Sequence, residues 1–314
     1  MKLSFLFSLV LLLACISKAQ LKWKPVTSEF GKLPASMHVY RCTDSLNNRP
    51  FIAYCVIADL KDRKLEFTTE TGEGKRYTPH QYDSIYGKSL LTVNGTFFSF
   101  ETNRNLNVVI RKDNLIAFNV PALKSKQSDS FYYPTRSAIG ITRSRRADVA
   151  WLFTDTAMKR PYAFQQGPLL AKGINPDPSF VDLKTVQQWK FWKMRTAIGG
   201  GPVLVHHSVT RITNREEQMF ANGVKDLHPR TAMGYTKDRK LVLVVVQGRQ
   251  KGIAEGISLE ELAKLMVELN CVEALNLDGG GSSCMLINGK ETIRPSSANG
   301  EQRAVPAVFV IRKK

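Results

Sequence analysis

The sequence predicts an α+β fold, in which a large mixed β-sheet core with a few helices forms a single domain. Ten short segments are rich in β-branched and aromatic residues and are bounded by Gly, Asn, Asp or Pro, which is typical of strands. Only one segment has a strong helical pattern, and no low-complexity linker divides the 314 residues. A chain of this length can bury an ample core as one large domain.

The predicted strands are short, and LVLVVV (241–246) is the most apolar of them. Together they cover 37–42, 51–60, 64–70, 90–93, 107–110, 149–153, 202–207, 241–246, 273–277 and 307–311. The strongest helix follows Ser258, because Ser258 and Glu261 form a capping box and apolar residues recur at helical spacing up to Asn270. Weaker patterns predict helices near 78–87, 182–193 and 214–222.

The N-terminus resembles a secretory signal peptide. Lys2 precedes an apolar run that is too short to span a bilayer, and small residues lie before a cleavage position after Ala19. We therefore expect a signal peptide at 1–19, an N-terminal segment at 20–49 and the main domain at 50–314. We also expect the chain to be exported to the periplasm or the extracellular space. Cys15 loosely matches a lipoprotein site, so membrane attachment is expected only if Cys15 is lipidated.

The formal charge of +18 restricts the expected partners. Lys and Arg are spread along the chain without a nucleic-acid-binding motif, so we predict no nucleic-acid partner. A basic surface can simply keep the chain soluble, or it can attract anionic substrates. No Cys-x-x-Cys or His–Cys cluster indicates zinc, and we predict no metal ligands.

The four cysteines of the predicted mature chain leave two alternatives open. Cys42 and Cys55 could face each other across a hairpin, and Cys271 and Cys284 could pair similarly, because export permits disulfides. Alternatively, all four are buried thiols.

Chemistry is expected in four turns. VNGTFFSF (93–100) has an Asn-Gly turn after a strand, so Asn94 either forms a plain hairpin or projects its amide into a pocket. In HPRTAMGY (228–235), Arg230 offers a planar fork of donors for phosphate or is a surface residue at the start of a strand. The glycine-rich VQGRQKGIAEGIS (246–258) carries Arg249 and leads to a helix N-terminus, which can bind an anion.

The most specific turn is ALNLDGGGSSCMLI (274–287). Three glycines between two apolar strands imply close backbone approach or dihedral angles that other residues resist. Asp278 ends the first strand, where its carboxylate either caps a turn or reaches a pocket. Ser282 and Ser283 can donate hydrogen bonds there. Asp278 with backbone carbonyl oxygens could bind Ca²⁺, although no complete ligand set is visible, and no other cofactor is predicted.

These segments resemble the phosphodiester glycosidase family. The matching stretches occur in the family's order and cover roughly residues 50 to 312; they are NGTFF, RSAIG, GGGPVLV, HPRTAMG, GRQ, ISLEELA, NLDGGGSS and PSSANGEQRAVPAVFVI. The resemblance implies hydrolysis between an anomeric carbon and phosphate in a small or polymeric glycosyl phosphodiester. The sequence departs from the family pattern at three places: Thr96, Gln247 and Ala254-Glu255-Gly256. At the position of Gln247 the family usually has Asp.

A mechanism follows from the resemblance and from the chemistry of the leaving group. Phosphate needs little protonation to leave, so one carboxylate with arginines can suffice. We assign catalysis to Asp278, as nucleophile or general base, with Arg230 and Asn94. The alternative function is non-catalytic binding of a sugar-phosphate or cell-envelope glycan. Weaker acid–base candidates are Glu273, Glu255 and His228; substrate-binding residues are Arg249, Gly279, Gly280, Gly281, Ser282, Ser283, Thr96, His228 and Glu255.

Overall fold

The computed structural model describes residues 21–124, 131–132, 135–166, 190–220, 222–297 and 299–314. The predicted signal peptide, the site at Cys15 and most of the predicted helix at 182–193 lie outside the described residues. Within the described part, no helix is long and apolar enough to cross a membrane.

Twenty-two strands are described, and they include all ten that the sequence predicts. They are β1 Trp23–Pro25, β2 Met37–Leu46, β3 Arg49–Asp59, β4 Leu65–Thr71, β5 Leu91–Asn94, β6 Val109–Arg111, β7 Asn114–Ala117, β8 Leu123–Lys124, β9 Phe131–Tyr132, β10 Arg136–Ile141, β11 Ala147–Asp155, β12 Arg160–Phe164, β13 Lys190–Phe191, β14 Thr196–Gly199, β15 Val203–His206, β16 Val209–Thr210, β17 Arg230–Thr236, β18 Lys240–Val246, β19 Cys271–Asn276, β20 Met285–Ile287, β21 Lys290–Glu291 and β22 Ala307–Lys313.

The strands form three main sheets and one small ribbon, β8-β9. Their orders are β1-β2-β3-β18-β17-β19-β15-β16, β13-β12-β11-β10-β14-β6-β7 and β21-β20-β5-β22-β4. The α+β class is confirmed. However, every pairing among the described strands is antiparallel, so three antiparallel sheets replace the predicted mixed sheet. Short connections such as the Asn47–Asn48 turn favour antiparallel neighbours.

Two α-helices lie within the described part, α1 at Pro79–Tyr86 and α2 at Leu259–Glu268. Both begin with a capping box, formed by Thr78 with Gln81 and by Ser258 with Glu261, as the sequence predicts for the second. Short 3-10 turns lie at Thr27–Phe30 and Gly280–Ser282. The helix predicted near 214–222 is wrong: residues 214–218 form turns, and Gln218 has a positive φ of 52°.

The eight-stranded sheet is covered on both faces. Along β18, Leu241, Leu243 and Val245 belong to a core that includes residues of the other two main sheets, such as Trp151 and Phe309. The alternate residues of β18, Val242, Val244 and Val246, belong to a second core together with the apolar residues of α2. Alternate side chains of a strand point to opposite faces, so a strand buried on both faces is apolar throughout.

The four cysteines are buried and free in the structure. In the β2–β3 hairpin, Cys42 is opposite Ala53, whereas Cys55 is opposite Tyr40. The hairpin therefore exists, but its register offsets the two thiols. The alternative of buried thiols holds for this structure, and burial raises the pKa of each thiol.

Candidate active site

Asp278 lies where the eight-stranded sheet meets the five-stranded sheet. Its backbone N–H donates to the carbonyl of Gly95 at 2.9 Å, and its carbonyl accepts from Asn94 Nδ2 at 2.7 Å. Just before it, Leu277 N–H donates to the carbonyl of Thr231 at 2.8 Å. The backbone of Asp278 is thus fixed from both sheets, as a catalytic group requires.

Asn94 positions the site rather than facing it. Its side chain is fully buried, and its Oδ1 accepts from the Thr231 hydroxyl at 2.8 Å and from Cys284 N–H at 3.1 Å. The Asn94 amide thus bonds to three elements of the protein, and its full burial keeps it away from a ligand. The structure therefore corrects the prediction that Asn94 projects into a pocket, and it gives Asn94 a positioning role.

The three glycines after Asp278 allow close contacts. A Cβ added at Gly279 would lie 2.9 Å from the carbonyl oxygen of Pro229, the residue before Arg230. At Gly280, whose φ is +61°, it would lie 2.9 Å from Arg249 Nη2. At Gly281, it would lie 2.3 Å from Arg303 Nη2. The absence of side chains thus lets two guanidinium groups pack directly on the backbone beside Asp278.

The Asp278 carboxyl is partly exposed and has a perturbed pKa. Burial raises the pKa of Asp278 to about 6, against the opposing effects of hydrogen bonds from Ser282 and Gly279 N–H and the charge of Arg303. The bond from Gly279 N–H to Asp278 Oδ1 is 2.9 Å long. At neutral pH the group is mostly ionised, yet it is more basic than an ordinary aspartate, which suits a nucleophile or general base.

Arg230 is a buried cation. Only 2% of the residue is exposed, its Nη2 donates to the carbonyl of Asp226 at 3.2 Å, and its guanidinium lies 5.2 Å from the centre of the Phe220 ring. Within the described part of the chain, no carboxylate lies within 4.0 Å of it. Burial, with help from Arg249, lowers the pKa of Arg230 to about 10, so it stays charged at neutral pH. Its charge lies behind the backbone at Gly279 rather than at the surface.

Arg249 is the exposed arginine of the predicted set. It has a φ of 61°, and its Nη2 lies 3.5 Å from Nδ1 of the half-buried His228. Burial is the main cause that lowers the pKa of His228, and the charges of Arg230 and Arg249 lower it further. His228 is therefore neutral near pH 7, and its ring can donate a hydrogen bond to a ligand next to Arg249 or accept one from it.

Arg303 was not among the predicted site residues. Its Nη1 lies 3.4 Å from the Ser282 hydroxyl, and its charge acts on Asp278. Arg303 reaches the site because its segment is held in place by β5 and Tyr77. Val305, just before β22, pairs with Tyr77, and β22 itself pairs with β5. The one sequence signal for Arg303 is its position in PSSANGEQRAVPAVFVI, and this motif by itself assigns no role to the residue.

Three predicted residues contribute less directly. The Thr96 hydroxyl is buried and donates to Asn105 Oδ1. Ser283 is buried, and its hydroxyl has no hydrogen-bond partner among the described residues. The Glu255 carboxylate makes no hydrogen bond or ion pair with any described residue. Gln247 is one of the positions where the chain departs from the family pattern. Its Nε2 donates to Gln250 Oε1 at 2.9 Å, and its Oε1 accepts from Arg294 N–H at 3.0 Å.

The donors that could hold a metal lie elsewhere. Among the described residues, His206, His207 and Glu273 have ligand atoms within 4.8 Å of one another. This group lies toward the opposite end of β19 from Asp278. Glu273 is occupied there, because it accepts from His206 Nδ1 at 2.9 Å and from His207 N–H at 3.0 Å. The prediction of Glu273 as an acid–base candidate for the Asp278 site is therefore wrong.

Comparison with known proteins bears on this geometry. Residues 171–312 match the family model described as phosphodiester glycosidase. The resemblance to the phosphodiester glycosidase family is confirmed. The matched region includes Arg230, Asp278 and the three glycines, and therefore most of the site.

Individual relatives support the same family. Bovine N-acetylglucosamine-1-phosphodiester α-N-acetylglucosaminidase is 37% identical over 82 residues, which are 26% of this chain and 15% of the bovine protein. The SPbeta prophage-derived protein YomE of Bacillus subtilis is 38% identical over 254 residues, 78% of this chain and 34% of YomE. The chain thus spans about a third or less of the length of these curated relatives.

A solved structure shares the fold. The catalytic domain of zebrafish N-acetylglucosamine-1-phosphodiester α-N-acetylglucosaminidase, autoinhibited by its pro-peptide, superposes with a TM-score of 0.59 at 20% identity. The superposition covers 94% of this chain and 83% of the zebrafish chain. At this identity the likeness extends to the architecture alone.

Proposed function

We propose that the chain hydrolyses the bond between the anomeric carbon and phosphate of a sugar phosphodiester and releases the free sugar. The proposal is carried by one observation: the glycines after Asp278 let Arg249 and Arg303 pack against the backbone beside one carboxylate. A carboxylate flanked by cations suits a reaction in which positive charge develops on a sugar carbon while an anion departs. The match to the phosphodiester glycosidase family supports this chemistry.

The two sides of the reaction are assigned to different groups. Ionised Asp278 either attacks the anomeric carbon or accepts a proton from the attacking water. The carbon–oxygen bond to phosphate breaks, the water oxygen remains on the sugar, and a phosphomonoester leaves. Arg249 and Arg303 neutralise the departing phosphate, while Arg230 adds charge from behind Gly279. This division differs from the sequence-based hypothesis, which assigned phosphate binding mainly to Arg230.

The substrate to test first is an α-linked N-acetylglucosaminyl phosphodiester, because the mammalian relatives carry that substrate in their names. An exported location, as the N-terminal sequence predicts, would give the enzyme access to phosphate-linked polymers outside the cell. Both the sugar and the location are part of the proposal.

The test measures the release of free N-acetylglucosamine from its α-linked methyl phosphodiester. The reaction is run with and without a chelator, and the released sugar is quantified by chromatography. We expect the purified protein to release sugar and the Asp278→Asn variant to release almost none. Equal release by both proteins would contradict the role of Asp278. The alternative, a non-catalytic binder, is motivated by Gln247, whose amide replaces the family's carboxylate; it predicts binding of the diester by the wild-type protein without any sugar release.

A further inference from the structure

An exposed aromatic ring lies next to the candidate active site and contacts two arginines. Phe100 is 64% exposed, and the guanidinium carbons of Arg76 and Arg303 lie 5.6 Å and 5.5 Å from the centre of its ring. The Phe98 ring lies 4.8 Å from that of Phe100 and 5.2 Å from the Arg76 guanidinium. We name these four residues, Arg76, Phe98, Phe100 and Arg303, the Phe100 platform.

The platform is built on the elements that hold Asp278. Phe98 follows Asn94 closely and pairs with Asn105, so residues 99–104 form the tip of a loop that carries Phe100. Tyr77 pairs with Val305 through hydrogen bonds of 3.1 Å and 2.8 Å, which brings together the segments that carry Arg76 and Arg303. The platform therefore has a fixed position relative to the carboxylate.

Arg303 connects the platform to the catalytic groups. The same guanidinium that lies against Phe100 is 3.4 Å from the Ser282 hydroxyl and acts electrostatically on Asp278. A phosphate bound beside Asp278 would therefore lie between the sugar and the platform. Whatever is attached to the far side of that phosphate would extend over Phe100.

The two arginines of the platform form no ion pair within the described part of the chain. No described carboxylate lies within 4.0 Å of the guanidinium of Arg76 or of Arg303, and both flank a single ring. Like charges gathered without a counter-ion repel each other, and an anionic ligand relieves that repulsion. An exposed ring beside them offers a flat apolar face for stacking. Together they suit a ligand that has both a ring face and an additional negative charge.

On the basis of the proposed function, we propose that the Phe100 platform is a subsite for the aglycone. It selects glycosyl phosphodiesters whose aglycone is a sugar ring that carries a second phosphate, as in a phosphate-linked glycan chain. The apolar face of the aglycone sugar packs on Phe100, and its second phosphate binds Arg76. A substrate with a small neutral alcohol as aglycone would leave both groups unused.

The test compares three diesters of the same α-N-acetylglucosaminyl phosphate, esterified to methanol, to a neutral hexose or to a hexose phosphate. We expect kcat/KM of the wild-type protein to be about tenfold or more higher for the hexose phosphate than for methanol, the effect of one charge-assisted contact. In Phe100→Ala and in Arg76→Ala, this ratio should fall about tenfold. Phe191→Ala is the matched control, because Phe191 is 45% exposed and contacts Arg160 and Lys193, but belongs to β13 in another sheet. It should keep the wild-type ratio.

Binding separates this subsite from the proposed reaction. Titration calorimetry of the hexose phosphate diester with Asp278→Asn should give an affinity that falls about tenfold when Phe100→Ala is added. If no diester is hydrolysed but this loss appears, the proposed function fails and the subsite is supported. If the ratio and the affinity are unaffected by Phe100→Ala and Arg76→Ala, or if the neutral hexose performs as well as the hexose phosphate, the subsite assignment is overturned.

Discussion

Two carboxylates of this protein, Glu217 and Asp278, both have a pKa raised by burial, but they differ in how the protein satisfies them. Glu217 is fully buried and surrounded by donors. Asp278 is half-buried, accepts from Gly279 N–H and Ser282, and is followed by a glycine backbone on which two arginines pack. The donors to Glu217 are Ser137 N–H and Oγ, Val203 N–H, Trp151 Nε1 and Thr213 Oγ1, at 2.6–3.2 Å.

The difference teaches which buried acid is available for chemistry. A carboxylate that accepts five hydrogen bonds from four parts of the chain has no free acceptor capacity, so Glu217 holds structure together. Gly201 confirms how tightly it is enclosed, since an added Cβ there would lie 2.4 Å from Glu217 Oε2. A raised pKa by itself therefore does not identify an active-site residue; access and unused acceptor sites do.

The largest expected effect separates the two acids by function. Asp278→Asn should reduce kcat about 10⁴-fold, because it removes the carboxylate that we assign as nucleophile or general base. Between about pH 4 and 6 the folded wild-type protein binds more protons at this site than the unfolded chain, so its stability falls as pH rises through that window. The Asn variant lacks this loss and should be more stable at pH 8, by about 1–3 kcal/mol. Lower stability of the variant at pH 8, seen in urea denaturation, would assign Asp278 a structural role like that of Glu217.

Glu217→Ala should have the opposite profile. It leaves buried N–H and indole donors without acceptors, and we expect the free energy of unfolding to fall by about 3–5 kcal/mol. Denaturant unfolding measures this loss. Glu216→Ala is the control, since its partner Arg211 lies 4.0 Å away near the surface, and it should change stability by about 0.5 kcal/mol or less. If both substitutions cost the same, the buried network is not what stabilises this region.

Arg249→Ala tests whether the exposed cation beside Asp278 binds phosphate. Losing a hydrogen bond to a charged group costs about 1.5–3 kcal/mol, so kcat/KM should fall about 10–100-fold while the melting temperature hardly changes. Arg143 is a suitable control, because its side chain is 76% exposed and bonds to Asp113 far from the glycines. A similar loss of activity in Arg143→Ala would point to general electrostatic attraction instead of a specific contact.

The smallest effect concerns the pH profile. Activity that requires ionised Asp278 should rise between pH 5 and 7 with an apparent pKa of about 6. Ser282 donates a hydrogen bond that lowers the pKa of Asp278, so Ser282→Ala should move the rise to higher pH by up to about one unit. Rate measurements across pH 4.5–8.5 would show this shift. A profile that stays in place would mean that another group controls the rate.

Much of the secondary structure could be predicted because its signals are local. The ten predicted strands follow from runs of β-branched and aromatic residues, and α2 follows from the capping box at Ser258. The pattern at 214–222 failed because Glu217 serves tertiary contacts: its carboxylate bonds to Ser137 and Val203, and those contacts hold residues 213–219 in turns. Local helical spacing does not include such long-range bonds.

The site was predicted in part. Asp278 and its glycines stand out because three glycines between buried strands have few structural explanations. The prediction that Asn94 projects its amide into a pocket is wrong. The sequence does not reveal that Thr231 and Cys284 both donate hydrogen bonds to its amide oxygen. Arg303 was missed because its proximity to Ser282 depends on the pairing of Tyr77 with Val305, more than 200 residues apart.

The sequence by itself determined the α+β class, the resemblance to the phosphodiester glycosidase family and the choice of Asp278 as the candidate acid, because each depends on contiguous residues or on a motif of fixed spacing. Only the tertiary structure decided which arginines face that acid and which is buried behind it. Guanidinium groups from distant segments reach Asp278 through the packing of one sheet against another, and a hydrogen bond or charge contact requires a distance that sequence spacing does not define.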